Sequence, residues 1–210
     1  PRNQYLARMD WAGLANSSEL LIQRMNRPQN EIDVLLADAR TGTVKTILVE
    51  RDSAWVDVVN DVRWLDKDRE FTWMSERNGW RRMYEVSRDG ATIKALSADS
   101  MDVTHPAFAF GAQAVLGTDA TGDYVYHYAS PQNPTQLYLY RTSLKRPGVT
   151  TRVTPADQPG THSYEISPNG RYAVHTWSSF GTPPTVELIT LPDHKRVRVL
   201  QDNAELRAHM

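Results

Sequence analysis

A fourfold recurrence governs what this chain can fold into. The stretch TILVERD around Leu48 is followed by IKALSAD around Leu96, TRVTPAD around Val153 and VRVLQDN around Leu200, at separations of 48, 57 and 47 residues. Each is a short β-rich run ending on an acidic or amide residue, and each comes after two or three other β-rich runs parted by turn residues. A period of roughly 40–60 residues that holds four strands marks the blades of a β-propeller. The expected fold is therefore all-β: a partial propeller of about four consecutive four-stranded antiparallel blades, over residues 1–60, 61–100, 101–160 and 161–210.

Turn chemistry sets the strands within each unit. In the first, Tyr5–Trp11, Leu20–Arg27, Ile32–Ala37 and Val44–Arg51 are joined by ANSSE, RPQN and ARTG, with Gly42 supplying the positive φ of the last turn. In the second, Asp61–Leu65, Glu70–Ser75, Arg82–Ser87 and Thr92–Leu96 are separated by turns that include ERNG and RDG. Alternation puts Phe71, Trp73, Met83 and Glu85 on one side of their strands, and apolar residues fill the positions between because both faces of a blade are covered. The third unit is less regular. Pro106 argues against a central strand in 103–113, which reads as a loop, and strands resume at Ala114–Thr118, Tyr124–Tyr128, Gln136–Arg141 and Val149–Val153. The fourth runs Thr161–Ser167, the SPNG turn, Arg171–Trp177, Thr185–Leu191 and Arg196–Leu200. A helical turn or two is expected only after Gln201.

Composition narrows the function classes. Six Trp, nine Tyr and a 40% apolar fraction in 210 residues supply a real core. The formal net charge of −1 gives no electrostatic hold on nucleic acid or anionic lipid. Cysteine is absent, which excludes disulfides, thiolate metal sites and a cysteine nucleophile. No apolar run approaches the roughly 18 residues of a membrane span, and no signal-peptide apolar segment is visible. The start at Pro1 and the stop at Met210 read as an excised piece of a longer protein.

Catalytic signals are weak. The strings GTHSYE and WSSFGT, around Ser163 and Ser179, each lack a glycine of the G-x-S-x-G nucleophile turn. His162, Ser163 and Asp157 suggest a triad only on paper, since neighbours on a strand point to opposite faces. The six histidines (105, 127, 162, 175, 194, 209) fall singly, without metal-ligand spacing, so structural or surface roles are expected for them and no metal or cofactor is assigned. GTDATGD at 117–123 lacks the acidic run of a calcium loop and reads as a turn. Arg77, Arg81 and Arg82 flank Trp80, but Glu76, Glu85 and Asp89 lie alongside, so a hairpin with its own ion pairs is favoured over a nucleic-acid patch.

The string FTWMSERNGWRRMYEVSRDG resembles a hallmark hairpin of the dipeptidyl peptidase IV family: an aromatic strand, Ser-Glu-x-x-Gly-Trp/Tyr-Arg, then His or Arg, an aliphatic residue and Tyr. Ser75, Glu76, Gly79, Trp80, Arg81, Arg82, Met83 and Tyr84 take those places. Three further stretches agree in the same order. YLARMDW is similar to the family's Tyr-x-x-Arg-x-x-Trp strand, SAWVDVVNDVRWL to a connection bearing Trp-Val/Ile-Asn, and HSYEISPNGRYAVHTWSSFGTPP to the last blade. ELITLPDHKRVRVLQDNAEL is similar to the run-out toward the hydrolase domain. The likeness spans essentially the whole chain and is weakest over 101–113, where Met101 stands near an expected Trp.

The resemblance implies the later half of an eight-bladed propeller belonging to a serine exopeptidase, with an α/β-hydrolase domain and its Ser, Asp, His triad outside this chain. Such enzymes release N-terminal Xaa-Pro or Xaa-Ala dipeptides and hold the free amino terminus with a Glu pair, which has no matching position here. The implied role is scaffold and gate of the substrate cleft, with a peptide substrate and the hydrolase domain as partners and a periplasmic or secreted location. Trp55, Asp57 and Asn60 lie on a loop able to reach that cleft, although Trp55 is also placed to pack between blades. Open blade faces predict self-association into a homo-oligomer. The rival readings are a non-catalytic protein-binding propeller of the TolB or WD kind and another prolyl-oligopeptidase relative.

Overall fold

The computed structural model describes residues 3–13, 18–105 and 113–209, and the chain divides into two compact units, 1–79 with 83–95 and 80–82 with 96–210. The first sheet is the antiparallel meander β1 (Gln4–Trp11), β2 (Glu19–Asn26), β3 (Glu31–Asp38) and β4 (Val44–Arg51). The second comprises β5 (Trp64–Leu65), β6 (Glu70–Ser75), β7 (Arg82–Ser87) and β8 (Ile93–Ala95), in sequence order. After β9 (Val103–Thr104) comes the third, with β10 (Val115–Thr118), β11 (Tyr124–Ala129), β12 (Tyr138–Ser143) and β13 (Thr150–Arg152). The fourth is β14 (Thr161–Ile166), β15 (Tyr172–Ser179), β16 (Thr182–Thr190) and β17 (Arg196–Gln201), followed by α1 (Ala204–Ala208). Four antiparallel meanders in series make the chain an all-β partial propeller, as the recurrence predicts.

Two strand expectations need correction, each for a hydrogen-bonding reason. The strand expected over Asp61–Leu65 shrinks to Trp64–Leu65, because the Thr72 hydroxyl intervenes: it donates to the Asp61 carbonyl (3.0 Å) and accepts from the Arg63 N–H (2.9 Å). Residues 103–113 are not wholly a loop, since Val103 and Thr104 pair with Ala129 and Tyr128 of β11. The remainder of that expectation, including Pro106, lies outside the described residues. Gly42 has the positive φ its turn requires, 72°.

The second sheet is covered on both faces. Every residue of Phe71–Ser75 is buried, as are Arg82–Tyr84. Two of its arginines form ion pairs outside the hairpin, where pairs within it were expected. Arg77 bridges to Glu50 at the end of β4 (2.7 Å), and Arg82 pairs with Asp99. Glu50 is itself buried and accepts further hydrogen bonds from Trp73 Nε1 (3.0 Å) and Ser75 Oγ (2.8 Å). Buried charge is tolerated when it is paired and its lone pairs are filled. In the second unit the apolar core gathers Tyr126, Tyr128, Leu139, Tyr164, Ala173 and Ile189. Met101, standing near an expected Trp, is buried with Ala129, Tyr138 and Tyr140.

Candidate functional site

The segment after β4 is irregular in outline yet tightly pinned. Asp52 Oδ1 accepts from the Ala54 and Trp55 amides (2.7 and 3.4 Å), an Asx-type turn that stops the strand. The Val56 N–H donates to the Gln29 carbonyl at 2.9 Å. Gln23, only 1% exposed on β2, grips Val59 at two points: its Nε2 donates to the carbonyl (2.6 Å) and its Oε1 accepts from the amide (2.9 Å). Buried Val56 and Val59 complete the anchoring.

Trp55, Asp57 and Asn60 are exposed, as are Asp52, Ser53 and Ala54 at the start of the segment. Trp55 does not pack between blades: it is 54% exposed, and its indole N–H donates to Asp57 Oδ1 at 3.0 Å. Asn60 Oδ1 accepts from Arg8 Nη1 of β1 (3.0 Å), and Arg8 also bridges to Asp10 (2.5 Å). The three expected residues therefore fall into two exposed pairs, Trp55 with Asp57 and Asn60 with Arg8. Together with Asp10, these offer an aromatic face, two carboxylates, an amide and a guanidinium on a fixed backbone. The contacts of Arg8 with Asn60 and of Gln23 with Val59 escaped the sequence reading, since they span 52 and 36 residues.

A second polar constellation lies in the fourth sheet. Register sets Tyr164 opposite His175 and His175 opposite Glu187, so a row of polar side chains crosses β14, β15 and β16. His162 Nδ1 meets His175 Nε2 at 2.8 Å, and His175 Nδ1 meets Glu187 Oε1 at 3.0 Å. Beyond them, His162 Nε2 lies 3.1 Å from the Gln158 carbonyl, and Arg196 Nε closes on Glu187 Oε2. His194, on the turn after β16, meets the Tyr164 hydroxyl at 3.0 Å, which is also 2.8 Å from Thr154 Oγ1. All four rings and Glu187 are buried.

Burial decides the protonation of these imidazoles. It pushes His162 down to about 3 and His194 down to about 4, helped in each case by the neighbouring His175. His175 also falls, although its contact with Glu187 opposes the burial. Burial would raise Glu187, but its contacts with Arg196 and His175 outweigh it and hold the carboxyl below the usual range. Alternation separates the imagined triad: His162 is fully buried, while Ser163 and Asp157 are exposed. The sequence hid this cluster because its members are 12 and 13 residues apart and meet only through hairpin register.

The family model described as "Dipeptidyl peptidase IV (DPP IV) N-terminal region" matches residues 1–184. A probable dipeptidyl-aminopeptidase B of Emericella nidulans is 25% identical over 206 residues, which is 91% of this chain and 22% of that protein. A probable dipeptidyl peptidase 4 of Aspergillus flavus is 25% identical over 194 residues, 86% of this chain and 23% of the relative. The crystal structure of Porphyromonas gingivalis dipeptidyl peptidase 4 superposes with a TM-score of 0.83 at 24% identity, covering 98% of this chain and 27% of its own. The chain thus spans under a quarter of the length of these curated relatives. It belongs to the family of dipeptidyl peptidase IV N-terminal regions.

Proposed function

We propose, from that membership, that this chain is the non-catalytic propeller part of a serine-type dipeptidyl aminopeptidase that removes N-terminal Xaa-Pro or Xaa-Ala dipeptides. Its task is to scaffold and gate the substrate cleft, with the segment bearing Trp55, Asp57 and Asn60 facing the peptide. The observation that carries the reading is the family match over 184 consecutive residues, on a chain with no nucleophile turn of its own. The clamped backbone of 52–60 supports the assignment of the segment, because positioning residues act best from a rigid base. Asp57 and Asp10 add negative charge suited to a peptide's ammonium group, and Trp55 offers an apolar face for a neighbouring side chain. The blades 1–60, 61–100, 101–160 and 161–210 are continued in the parent by further blades and by the hydrolase domain. Alone, the chain self-associates through apolar surface such as Leu6, Met9 and Trp11, which are 73%, 58% and 52% exposed.

Two measurements test this. The chain alone is expected to hydrolyse no Gly-Pro or Ala-Pro chromogenic substrate. Turnover that survives stringent purification and disappears in Ser163→Ala would overturn the non-catalytic role. In the full-length enzyme, Asp57→Ala and Asn60→Ala are expected to raise KM several-fold with kcat and melting temperature little changed. An unaltered KM in both removes the segment from the cleft.

A further inference from the structure

The polar row of the fourth sheet is one proton short. The Gln158 carbonyl and the Glu187 carboxylate are acceptors, and His162 and His175 lie between them across three close contacts of 3.1, 2.8 and 3.0 Å. Three hydrogen bonds need three protons, and two imidazoles bring two unless a further positive charge, a proton or a metal ion, joins the row. His162 must spend its proton on the Gln158 carbonyl, which leaves Nδ1 as a lone pair. His175 must then donate from Nε2. The rings are coplanar to 2° with centroids 5.1 Å apart, the arrangement of an in-plane N–H···N bond rather than a face-to-face stack. That turns the lone pair of His175 Nδ1 onto Glu187 Oε1 at 3.0 Å, two acceptors in contact within a buried site. A metal ion held by the two, in place of a third proton, resolves the conflict and keeps the other hydrogen bonds of the row.

We propose that His175, Glu187 and His194 form a site for a divalent transition-metal ion of the zinc class. One ligand atom from each lies within 4.8 Å of the others, and all three residues are buried. Zinc bonds of about 2.0–2.2 Å in tetrahedral geometry separate ligands by roughly 3.3–3.6 Å, so on binding the His175–Glu187 pair at 3.0 Å opens by a few tenths of an ångström and the wider separations, up to 4.8 Å, close by about 1 Å. Two imidazoles and one carboxylate are a donor set that zinc favours. Each ligand is already oriented by a partner on its far side: His175 by His162, Glu187 by Arg196 and His194 by the Tyr164 hydroxyl. A cleft of about 290 Å³, lined by Gln158, Trp177, Glu187, Arg196 and Asp202, reaches the carboxylate from solvent and gives the ion a way in. This site is independent of the peptidase reading and of the Trp55 segment.

The test is titration of the chelator-treated chain with Zn2+ and with Co2+. The expected result is one equivalent bound at micromolar or lower concentration, a rise of several degrees in melting temperature with Zn2+, and visible absorption of tetrahedral cobalt. His194→Gln and Glu187→Gln should each weaken binding at least 10-fold, while removal of the two exposed histidines, His105→Ala with His209→Ala, should leave it unchanged. Absence of stoichiometric binding overturns the proposal, as does binding lost with the outer pair and kept in His194→Gln. Should the cluster variants fail to fold, histidine ring nitrogen NMR of the wild-type chain decides. Zinc must shift the His175 and His194 nitrogens, and a site elsewhere leaves them unmoved.

Discussion

Glu50 and Glu187 are both buried carboxylates, 7% and 4% exposed, one in each compact unit, and they are held by different kinds of donor. Glu50 accepts from an indole, a hydroxyl and a guanidinium, groups that keep their protons across the physiological range. Glu187 faces a guanidinium and an imidazole. The contrast extends to the whole of each unit: all six histidines lie in 96–210, and the unit of 1–79 with 83–95 has none. Similar strand architecture thus carries one polar core without histidine and another built on it. The difference teaches that the donors around a buried acid, not its burial, decide what conditions it feels.

The largest expected effect breaks the chain along that line. Between pH 7 and 5 the unfolded chain protonates its histidines near the ordinary value of about 6.5. In the folded second unit, burial holds His127 and His194 at about 4 and His162 at about 3, so they stay neutral. The unfolded state therefore binds more protons, and stability is lost as pH falls through that window. The linkage amounts to about 1–2 kcal/mol for each buried histidine. Hydrogen exchange in the presence of a chelator should show 96–210 losing protection at pH 5 relative to pH 7, while the first unit keeps its own. Equal loss in both units would break the comparison. A gain in the second would show that the row holds an imidazolium.

Next in size is truncation of the two acids. Glu50→Ala leaves Trp73, Ser75 and Arg77 without their acceptor in a site the strands enclose, and a loss of about 3 kcal/mol is expected. Glu187→Ala should cost less, about 1–2 kcal/mol, because the Arg196 side chain is 57% exposed and turns to water. Urea midpoints of the two variants give the order directly. A larger loss for Glu187→Ala would mean that the histidine row, not the Glu50 cluster, is the tighter polar core.

What could be read from the sequence divides in a similar way. Strands such as Glu70–Ser75, Arg82–Ser87 and Val44–Arg51 were legible to the residue, since alternation and turn residues are local signals. The family likeness came from the equally local hairpin of 71–90. Contacts that depend on register or on a neighbouring sheet were not legible. Arg77 reaches Glu50 across 27 residues instead of pairing within its hairpin, and the Thr72 hydroxyl shortens β5 in a way no periodicity predicts. The meeting of His162, His175 and Glu187 was illegible for the same reason. Spacings of 12 and 13 residues look arbitrary until β14, β15 and β16 are paired.

A last comparison, which includes the smallest effect, is at a turn both units share. ERNG between β6 and β7 and SPNG between β14 and β15 each end on a glycine with positive φ, 83° at Gly79 and 65° at Gly170. The backbone demand is common to both, but the surroundings are not. A Cβ on Gly170 would lie 2.6 Å from the Thr118 carbonyl oxygen and 2.8 Å from the Ala120 nitrogen, backbone atoms that cannot step aside cheaply. A Cβ on Gly79 meets nothing within 4 Å. Gly170→Ala should therefore cost about 2–4 kcal/mol, conformational strain and clash together. Gly79→Ala should cost only the strain, about 1 kcal/mol. Thermal melts of the two variants test the pair: equal shifts would mean that the Gly170 turn moves away from Thr118 at little cost, and no shift at Gly79 would mean that its turn relaxes to a conformation alanine accepts.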